Sequence, residues 1–155
     1  MSNAKINNEI DLTYPECFKE MNEAELARYF STAENRWGVY DADRHIVLSV
    51  SWNKAGFFGF MTDAESVLIG AESRLRRNLL NYQRLSSYKM KIGSQKSQAI
   101  RFEYRVNDSV SVHTGALLVF KYKKKFYSIY YITRKSNAAA ARADLEEILK
   151  SIKLG

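Results

Sequence analysis

The sequence has little of what builds disulfide frameworks, linkers or membrane spans. Its one cysteine, Cys17, cannot form an internal disulfide, which is compatible with a reducing compartment. Its longest apolar runs, such as 115–120, are far shorter than the ~20 residues that a transmembrane helix needs. Because the 155 residues contain one proline and neither a low-complexity linker nor a repeat, we predict a single globular domain.

Residues that carry chemistry are also scarce. The chain has two histidines, His45 and His113, and it lacks the glycine-rich phosphate-binding motifs and the H-E-x-x-H metalloprotease motif. On one strand, Ser111 and His113 would be about 6.6 Å apart, beyond the ~3 Å expected of a nucleophile and its base. We therefore predict a protein without catalytic residues and without a cofactor.

The segment from Asp41 through Asp43 to His45 follows a D-x-D-x-H pattern that has two interpretations. Carboxylates and imidazoles are ligands of several divalent ions. Aspartates also cap the backbone of turns, and no second histidine or cysteine cluster supports a metal. We interpret the segment as the turn of a hairpin and predict no metal site.

The first third of the chain indicates short elements. A strand over 10–14 ends at Pro15, which cannot donate to a ladder. A short helix follows, with Asn22 as its N-cap and Glu25 in a capping-box arrangement. Alternating apolar residues then predict a hairpin with strands over 36–40 and 44–52.

Two longer helices are predicted from apolar stripes at helical spacing. Thr62 and Glu65 form a T-x-x-E capping box for a helix that extends to about Leu80. The last helix begins after Ser136, and its predicted buried stripe consists of Ala141, Leu145, Ile148, Leu149 and Ile152.

Between these helices, four more strands are predicted over 85–92, 98–106, 110–122 and 125–133. Their short connections suit antiparallel hairpins. In the last two strands, apolar residues occupy both alternating sets, as in strands covered on both faces. The predicted fold class is α+β, with an antiparallel sheet of about six strands flanked by helices on both faces.

Two segments near the ends carry a family resemblance. They are Leu12-Thr13-Tyr14-Pro15-Glu16-Cys17-Phe18 and the sequence LEEILKSIKL over 145–154. Together with the order of elements, they resemble the Mog/PsbP-like superfamily, which includes DcrB-type proteins. The resemblance implies an α/β/α sandwich used mainly for binding, without a shared catalytic centre. It places one PsbP-like domain over 9–155 and leaves 1–8 as a disordered or tag-derived N-terminus.

The connection KAGFFGFMTDAES over 54–66 contains large apolar side chains where a surface turn is expected. Phe57 and Phe60 either close over the end of the core or form a recognition surface. Phe58 is the member expected to point outward.

Positive charge is concentrated in the middle of the chain. The formal balance is −6 over 1–73, +13 over 74–135 and 0 from residue 136 onward. A basic face attracts acidic proteins, phospholipids or nucleic acids, whereas lysines that protect a solvated sheet edge are the alternative explanation.

We expect a non-catalytic binding domain that engages a protein or peptide partner through the apolar connection and the basic surface. The candidate contact residues are Phe57, Phe58, Phe60, Arg74, Arg77, Lys89, Lys91, Arg101 and Arg105. A nucleic-acid-binding domain is the alternative, because seven of the ten tyrosines lie within 74–135. No signal peptide is visible, so the expected location is cytoplasmic, or exported or lipid-anchored if a native leader was removed.

Overall fold

The structure is a computed structural model that describes residues 1–55, 62–106 and 111–155. Its helices are α1 (Glu23–Phe30), α2 (Ala64–Asn78) and α3 (Ala138–Ser151), with a 3-10 turn over Lys135–Asn137 before α3. Its strands are β1 (Ser2–Ile6), β2 (Ile10–Tyr14), β3 (Lys19–Glu20), β4 (Arg36–Asp41), β5 (Ile46–Lys54), β6 (Leu80–Ile92), β7 (Gln95–Arg105), β8 (Val112–Tyr122), β9 (Lys125–Arg134) and β10 (Lys153–Leu154).

The described strands form two antiparallel sheets. The main sheet has the order β3-β4-β5-β9-β8-β7-β6, and the smaller sheet has the order β1-β2-β10. The predicted α+β class with an antiparallel sheet is therefore confirmed. The described main sheet has seven strands because the two-residue β3, which the sequence analysis did not predict, pairs with β4.

The two faces of the main sheet bury different residues of the same strands. On β8, Leu118 and Phe120 pack toward α3 and the smaller sheet, whereas Leu117 and Val119 pack toward α2. Helix α1 lies on the α2 side, where its Leu26 joins a cluster with side chains of β5. The sheet therefore has helices on both faces, as the two-sided apolar pattern predicted.

Residues 2–6 form strand β1 in the structure, whereas the sequence analysis expects a disordered or tag-derived N-terminus over 1–8. Strand β1 pairs with β2 in a continuous antiparallel register, and Ile6 is buried in the core. The following turn is held down by Glu9, whose carboxylate accepts hydrogen bonds from the Tyr127 hydroxyl and from the Lys125 ammonium. Ordering a polar N-terminal segment costs conformational entropy. Strand pairing with β2 and the burial of Ile6 compensate for that cost.

The helix starts show one correct cap and one shifted cap. The predicted box at α1 is present, since the Glu25 backbone donates to Asn22 Oδ1 at 2.9 Å and the Asn22 backbone donates to Glu25 Oε1 at 3.2 Å. The predicted Thr62–Glu65 box is wrong. Asp63 is the N-cap of α2 and accepts from the Ser66 backbone at 2.9 Å, because a carboxylate caps well and is favoured by the helix dipole.

Strand β6 begins five residues earlier than predicted, at Leu80 instead of residue 85. Its first half mixes apolar and polar residues, is mostly exposed and lacks the sustained alternation that identifies a strand. Tyr82 stacks on Phe102 with ring centroids 5.5 Å apart, and this contact holds the early part of the strand on the sheet. The pairing of β6 with β7 has register irregularities between Leu80 and Ser86.

Candidate functional site

Helix α3 covers the middle of the main sheet but leaves the β6 end of the same face open. A groove of about 530 Å³ lies between α3 and the strands β6, β7 and β8. The predicted stripe of α3 is buried against the sheet and β2, which confirms the assignment of its inner face. The groove exists because α3 lies against β2 and β9, and one helix is too narrow to cover strands as far out as β6.

Small side chains on β8 make the floor of the groove. The side chains of β8 that face α3 include Thr114, Ala116, Leu118 and Phe120, and the groove lies over Thr114 and Ala116. Between them lies Gly115, whose position on the strand faces the α2 side. A Cβ atom there would lie 2.5 Å from the Tyr131 carbonyl oxygen, so this position requires glycine. The floor is therefore low where the strand changes from large to small residues.

Tyr131 of β9 completes the floor. It is buried, and its hydroxyl has no hydrogen-bond partner among the residues that the structure describes. Burial raises the pKa of this phenol above its ordinary value, so the side chain is neutral. The groove thus has an aromatic floor without a fixed charge.

Apolar side chains also form both walls. Leu145 and Leu149 line the groove from α3, and Tyr88 and Met90 line it from β6. Leu85 at the outer end of the sheet wall is 50% exposed, although it is a large aliphatic residue. An exposed leucine beside an apolar groove indicates a surface that a partner can cover.

The rim carries six charged side chains, four of which are paired. Lys135 Nζ lies 3.0 Å from Glu103 Oε1, and Arg142 Nε lies 3.4 Å from Glu146 Oε1. The remaining two are cationic. The Arg101 guanidinium lies over the Tyr88 ring, 4.9 Å from its centroid, and Lys150 makes no ion pair with any described residue. The rim therefore has a surplus of two positive charges.

The outer side of β6 is the second feature of this site. Within the described residues, β6 pairs only with β7, so one row of its backbone N–H and C=O groups faces outward. From Ser86 to Ile92 the pairing with β7 is regular. We call the outer side of residues 86–92 the open edge, and it borders the groove along Tyr88 and Met90.

A buried carboxylate on the other face ties β6 to α2. Glu72 accepts a hydrogen bond from the Tyr82 hydroxyl at 2.8 Å and one from Arg84 Nε at 2.7 Å. Arg84 Nη2 also contacts the second carboxylate oxygen. The hydrogen bonds from Arg84 hold the pKa of Glu72 below its usual range, so the carboxyl stays ionised. This cluster is structural, because all its partners belong to the fold itself.

The six predicted basic residues that the structure describes lie on two faces. Arg74 and Arg77 are exposed on α2, and the alternation of β6 places Lys89 and Lys91 on the α2 side of the sheet. Arg101 lines the groove on the α3 side, and Arg105, four residues on, points to that side as well. Phe57, Phe58 and Phe60 lie outside the described residues.

Sequence reasoning missed most of the groove. Leu145 and Leu149 were predicted as core, and Thr114 and Ala116 were not singled out. The available signal was the pair of small residues at the start of a strand that is otherwise rich in large ones. The position of α3 relative to β6 depends on contacts distant in sequence, which no local pattern reports.

The D-x-D-x-H segment is a turn, as the sequence analysis favoured. Asp41 Oδ1 accepts from the backbone of Asp43 at 3.1 Å and of Arg44 at 3.3 Å. Although burial works to raise it, the hydrogen bonds from Arg44 hold the pKa of Asp41 below its ordinary value. Among the described residues, no group of three or more histidine, cysteine, aspartate or glutamate side chains has the geometry to hold a metal ion.

Comparisons with known proteins find relatives by structure alone. No protein-family model matches the sequence, and no curated protein matches it. The structure of LpqN, a protein involved in cell envelope biogenesis of Mycobacterium tuberculosis, is similar with a TM-score of 0.69 and 16% identity, over 94% of this chain and 82% of that one.

Two further solved structures have the same architecture. Cyanobacterial PsbP (CyanoP) from Synechocystis sp. PCC 6803 matches with a TM-score of 0.71 and 10% identity, over 99% of this chain and 92% of its own. The Saccharomyces cerevisiae Ran-binding protein Mog1p matches with a TM-score of 0.63 and 10% identity, over 99% and 96% of the two chains. This chain has the Mog/PsbP-like fold. In its described helices, none is both long and apolar enough to cross a bilayer.

Proposed function

We propose that this Mog/PsbP-like protein is a non-catalytic binding domain that holds a peptide segment of a partner protein in the groove beside α3. The observation that carries the proposal is the apolar groove of about 530 Å³, which the domain's own described elements leave open. Pockets of this size are within the range of ligand sites.

The lining of the groove favours side chains over small polar substrates. Leucine, methionine and tyrosine side chains form the walls, and the polar groups of the rim are largely paired with one another. Burying one leucine or phenylalanine of a partner contributes ~1.5–3 kcal/mol. Two or three such anchors give a useful affinity without any covalent chemistry.

The fold supports a role in protein binding. The yeast structural relative is described as a Ran-binding protein, so one protein of this architecture binds another protein. Because the identity is 10%, this similarity supports protein binding as one use of the fold, and it does not identify a partner of this chain.

We propose that the basic residues outside the groove act through long-range electrostatic attraction. Arg74, Arg77, Lys89, Lys91 and Arg105 increase the association rate of an acidic partner and make it depend on salt. Phe57, Phe58 and Phe60, which precede α2 in the sequence, remain a proposed apolar contact. A cytoplasmic location stays a prediction.

The nucleic-acid alternative has less support. Base stacking needs aromatic faces that are open to solvent. Three of the seven tyrosines within 74–135 are buried and four are half-buried, so none is fully exposed: Tyr82, Tyr88, Tyr104, Tyr122, Tyr127, Tyr130 and Tyr131.

Two matched variants test the groove. Ala138 lines it at the start of α3, and the neighbouring Ala139 is exposed and does not. Peptides selected from a random display library on the parent protein are measured by fluorescence anisotropy against Ala138→Trp and Ala139→Trp. We expect Ala138→Trp to weaken binding about tenfold or more because the indole fills the groove, and Ala139→Trp to bind like the parent.

Thermal melts of both variants establish that each is folded. Equal affinity of the two variants for every selected peptide would place the binding surface elsewhere. A selection that yields no binding peptide would contradict the proposed function itself.

A further inference from the structure

The open edge and the groove together form a site for one kind of peptide conformation. The open edge offers seven consecutive residues in regular register, 86–92, which corresponds to about 23 Å of strand. A peptide that pairs with this edge becomes an eighth strand and obtains main-chain hydrogen bonds that do not depend on its sequence. The bulged part of β6, before Ser86, is unsuited to such pairing.

The side chains of β6 alternate between two chemically different surfaces. Tyr88 and Met90 face the groove, whereas Lys89 and Lys91 face the α2 side. An added strand follows the same alternation, because directly opposite residues of paired strands share a face. One set of its side chains therefore lies beside the groove, and the other lies beside the two lysines.

The charges of this edge select for acidic residues. Neither Lys89 nor Lys91 makes an ion pair with any described residue, and the groove rim has Arg101 and Lys150 in surplus. Opposite charges directly across a strand pair are stabilising, and like charges are destabilising. A second copy of this chain would bring its own Lys89 and Lys91 to the same face of the joint, so self-pairing is disfavoured.

We propose that the occupant of the site is an extended segment of a partner protein that alternates acidic and apolar residues and adds to β6 as an edge strand. Its apolar side chains extend over Tyr88 and Met90 toward the groove, and its carboxylates face Lys89 and Lys91. This inference rests on the proposed function, because it names the chemistry and conformation of the peptide that the groove binds.

The first test uses synthetic fluorescent peptides of defined pattern. One peptide alternates glutamate and valine, a second has the same residues in two blocks, and a third alternates lysine and valine. We expect the glutamate–valine alternation to bind about tenfold tighter than the block peptide and the lysine peptide, as measured by anisotropy. Equal binding of the alternating and block peptides would show that charge alone is recognised, and it would overturn the proposal.

The second test asks whether the backbone pairs. Two versions of the alternating peptide carry N-methyl groups on every second residue, one on the odd set and one on the even set. Only one set of amides in an added strand faces β6, so one version should lose binding by about tenfold or more and the other should keep it. If both versions bind like the parent peptide, strand addition is wrong.

The third test distinguishes direct contact of the peptide with Lys89 and Lys91 from attraction by the overall positive charge of the protein. Lys89→Glu with Lys91→Glu reverses two charges at the open edge, and Lys19→Glu with Arg28→Glu makes the same change of net charge near β3, at the opposite edge of the sheet. We expect the first double variant to lose about tenfold in affinity for the glutamate peptide and to gain affinity for the lysine peptide, and the second to change both little. Equal effects of the two double variants would contradict contact at β6.

Failure of this inference differs from failure of the proposed function. If the Ala138→Trp and Ala139→Trp contrast holds for selected peptides while neither methylated version loses affinity, the groove binds peptides without strand addition. If no peptide binds in any test, both proposals are wrong.

Discussion

Strands β9 and β6 belong to one antiparallel sheet, and they differ in the number of strands they pair with and in how deeply their side chains are buried. Strand β9 pairs on both sides, with β5 and β8, and its Tyr127 and Ile129 are at most 1% exposed. Strand β6 pairs with β7 alone among the described strands, and Leu85 is 50% exposed. At the centre of the sheet, both strand edges and the side chains are thus occupied by contacts within the fold. At the β6 end, one strand edge and part of the apolar surface are not.

This difference indicates where stability and binding are located. A residue that contacts neighbours on both faces contributes to folding, and its truncation leaves a cavity. A residue that borders open apolar surface contributes little to the isolated domain and is available to a partner.

Truncating the centre should have the largest effect. Ile129→Ala in β9 is expected to lower the free energy of unfolding by about 2–5 kcal/mol, because it removes a buried side chain from a packed layer. Leu85→Ala in β6 is expected to change it by less than about 0.5 kcal/mol. Urea unfolding of both variants gives the comparison, and equal losses would mean that the edge is as tightly packed as the centre.

The contact between β6 and α2 should have an intermediate effect. Glu72→Ala removes a buried carboxylate that accepts from Tyr82 and Arg84, and we expect a loss of about 1–3 kcal/mol in the free energy of unfolding. Glu146→Ala is the matched control, because its pair with Arg142 is exposed at 55% and 56% and should be worth less than about 1 kcal/mol. A larger loss for Glu146→Ala than for Glu72→Ala would refute the assignment of Glu72 as the structural tie.

The contribution of the Glu72 carboxylate to the free energy of unfolding should depend on pH. The folded pKa of Glu72 is lowered by Arg84, so its stabilisation is fully present above the unfolded pKa of about 4.3 and is lost as pH falls through the lower folded pKa. We expect the gap in urea midpoint between the parent and Glu72→Gln to be constant near neutral pH and to shrink below about pH 4. A gap that widens in acid would have the wrong sign.

The smallest effect on stability is expected at the open edge itself. Lys89→Ala with Lys91→Ala should leave the free energy of unfolding within about 0.5 kcal/mol of the parent, because both side chains are exposed. The same double variant should weaken binding of an acidic peptide, and the salt dependence of that binding should become shallower. Titrations at two salt concentrations beside urea melts measure both quantities.

The sequence predicted the elements whose pattern is local. Periodicity identified the inner face of α3 through Leu145 and Leu149, and the two-sided composition of β8 and β9 correctly indicated cover on both faces. The Asn22 capping box needed only its own four residues. In each case the residues that decide the structure lie within a few positions of one another.

What the sequence did not show depends on distant partners. Strand β1 is polar and forms because β2 lies beside it, and the early part of β6 is held by Tyr82 on Phe102 and by Arg84 on Glu72. The groove is harder still, because it is defined by where α3 does not reach. No local sequence pattern predicts an uncovered surface. The small residues Thr114 and Ala116 are the local sign of the groove in the sequence.

Hydrogen exchange of the protein, free and saturated with a selected peptide, shows whether a peptide occupies the open edge and the groove. We predict slower exchange of amides in 86–92 and in the groove-facing part of α3 when peptide is bound, with β9 already protected in both states. Protection that appears only on the exposed face of α2, with 86–92 unchanged, would contradict the account and would place the binding surface on the other side of the sheet.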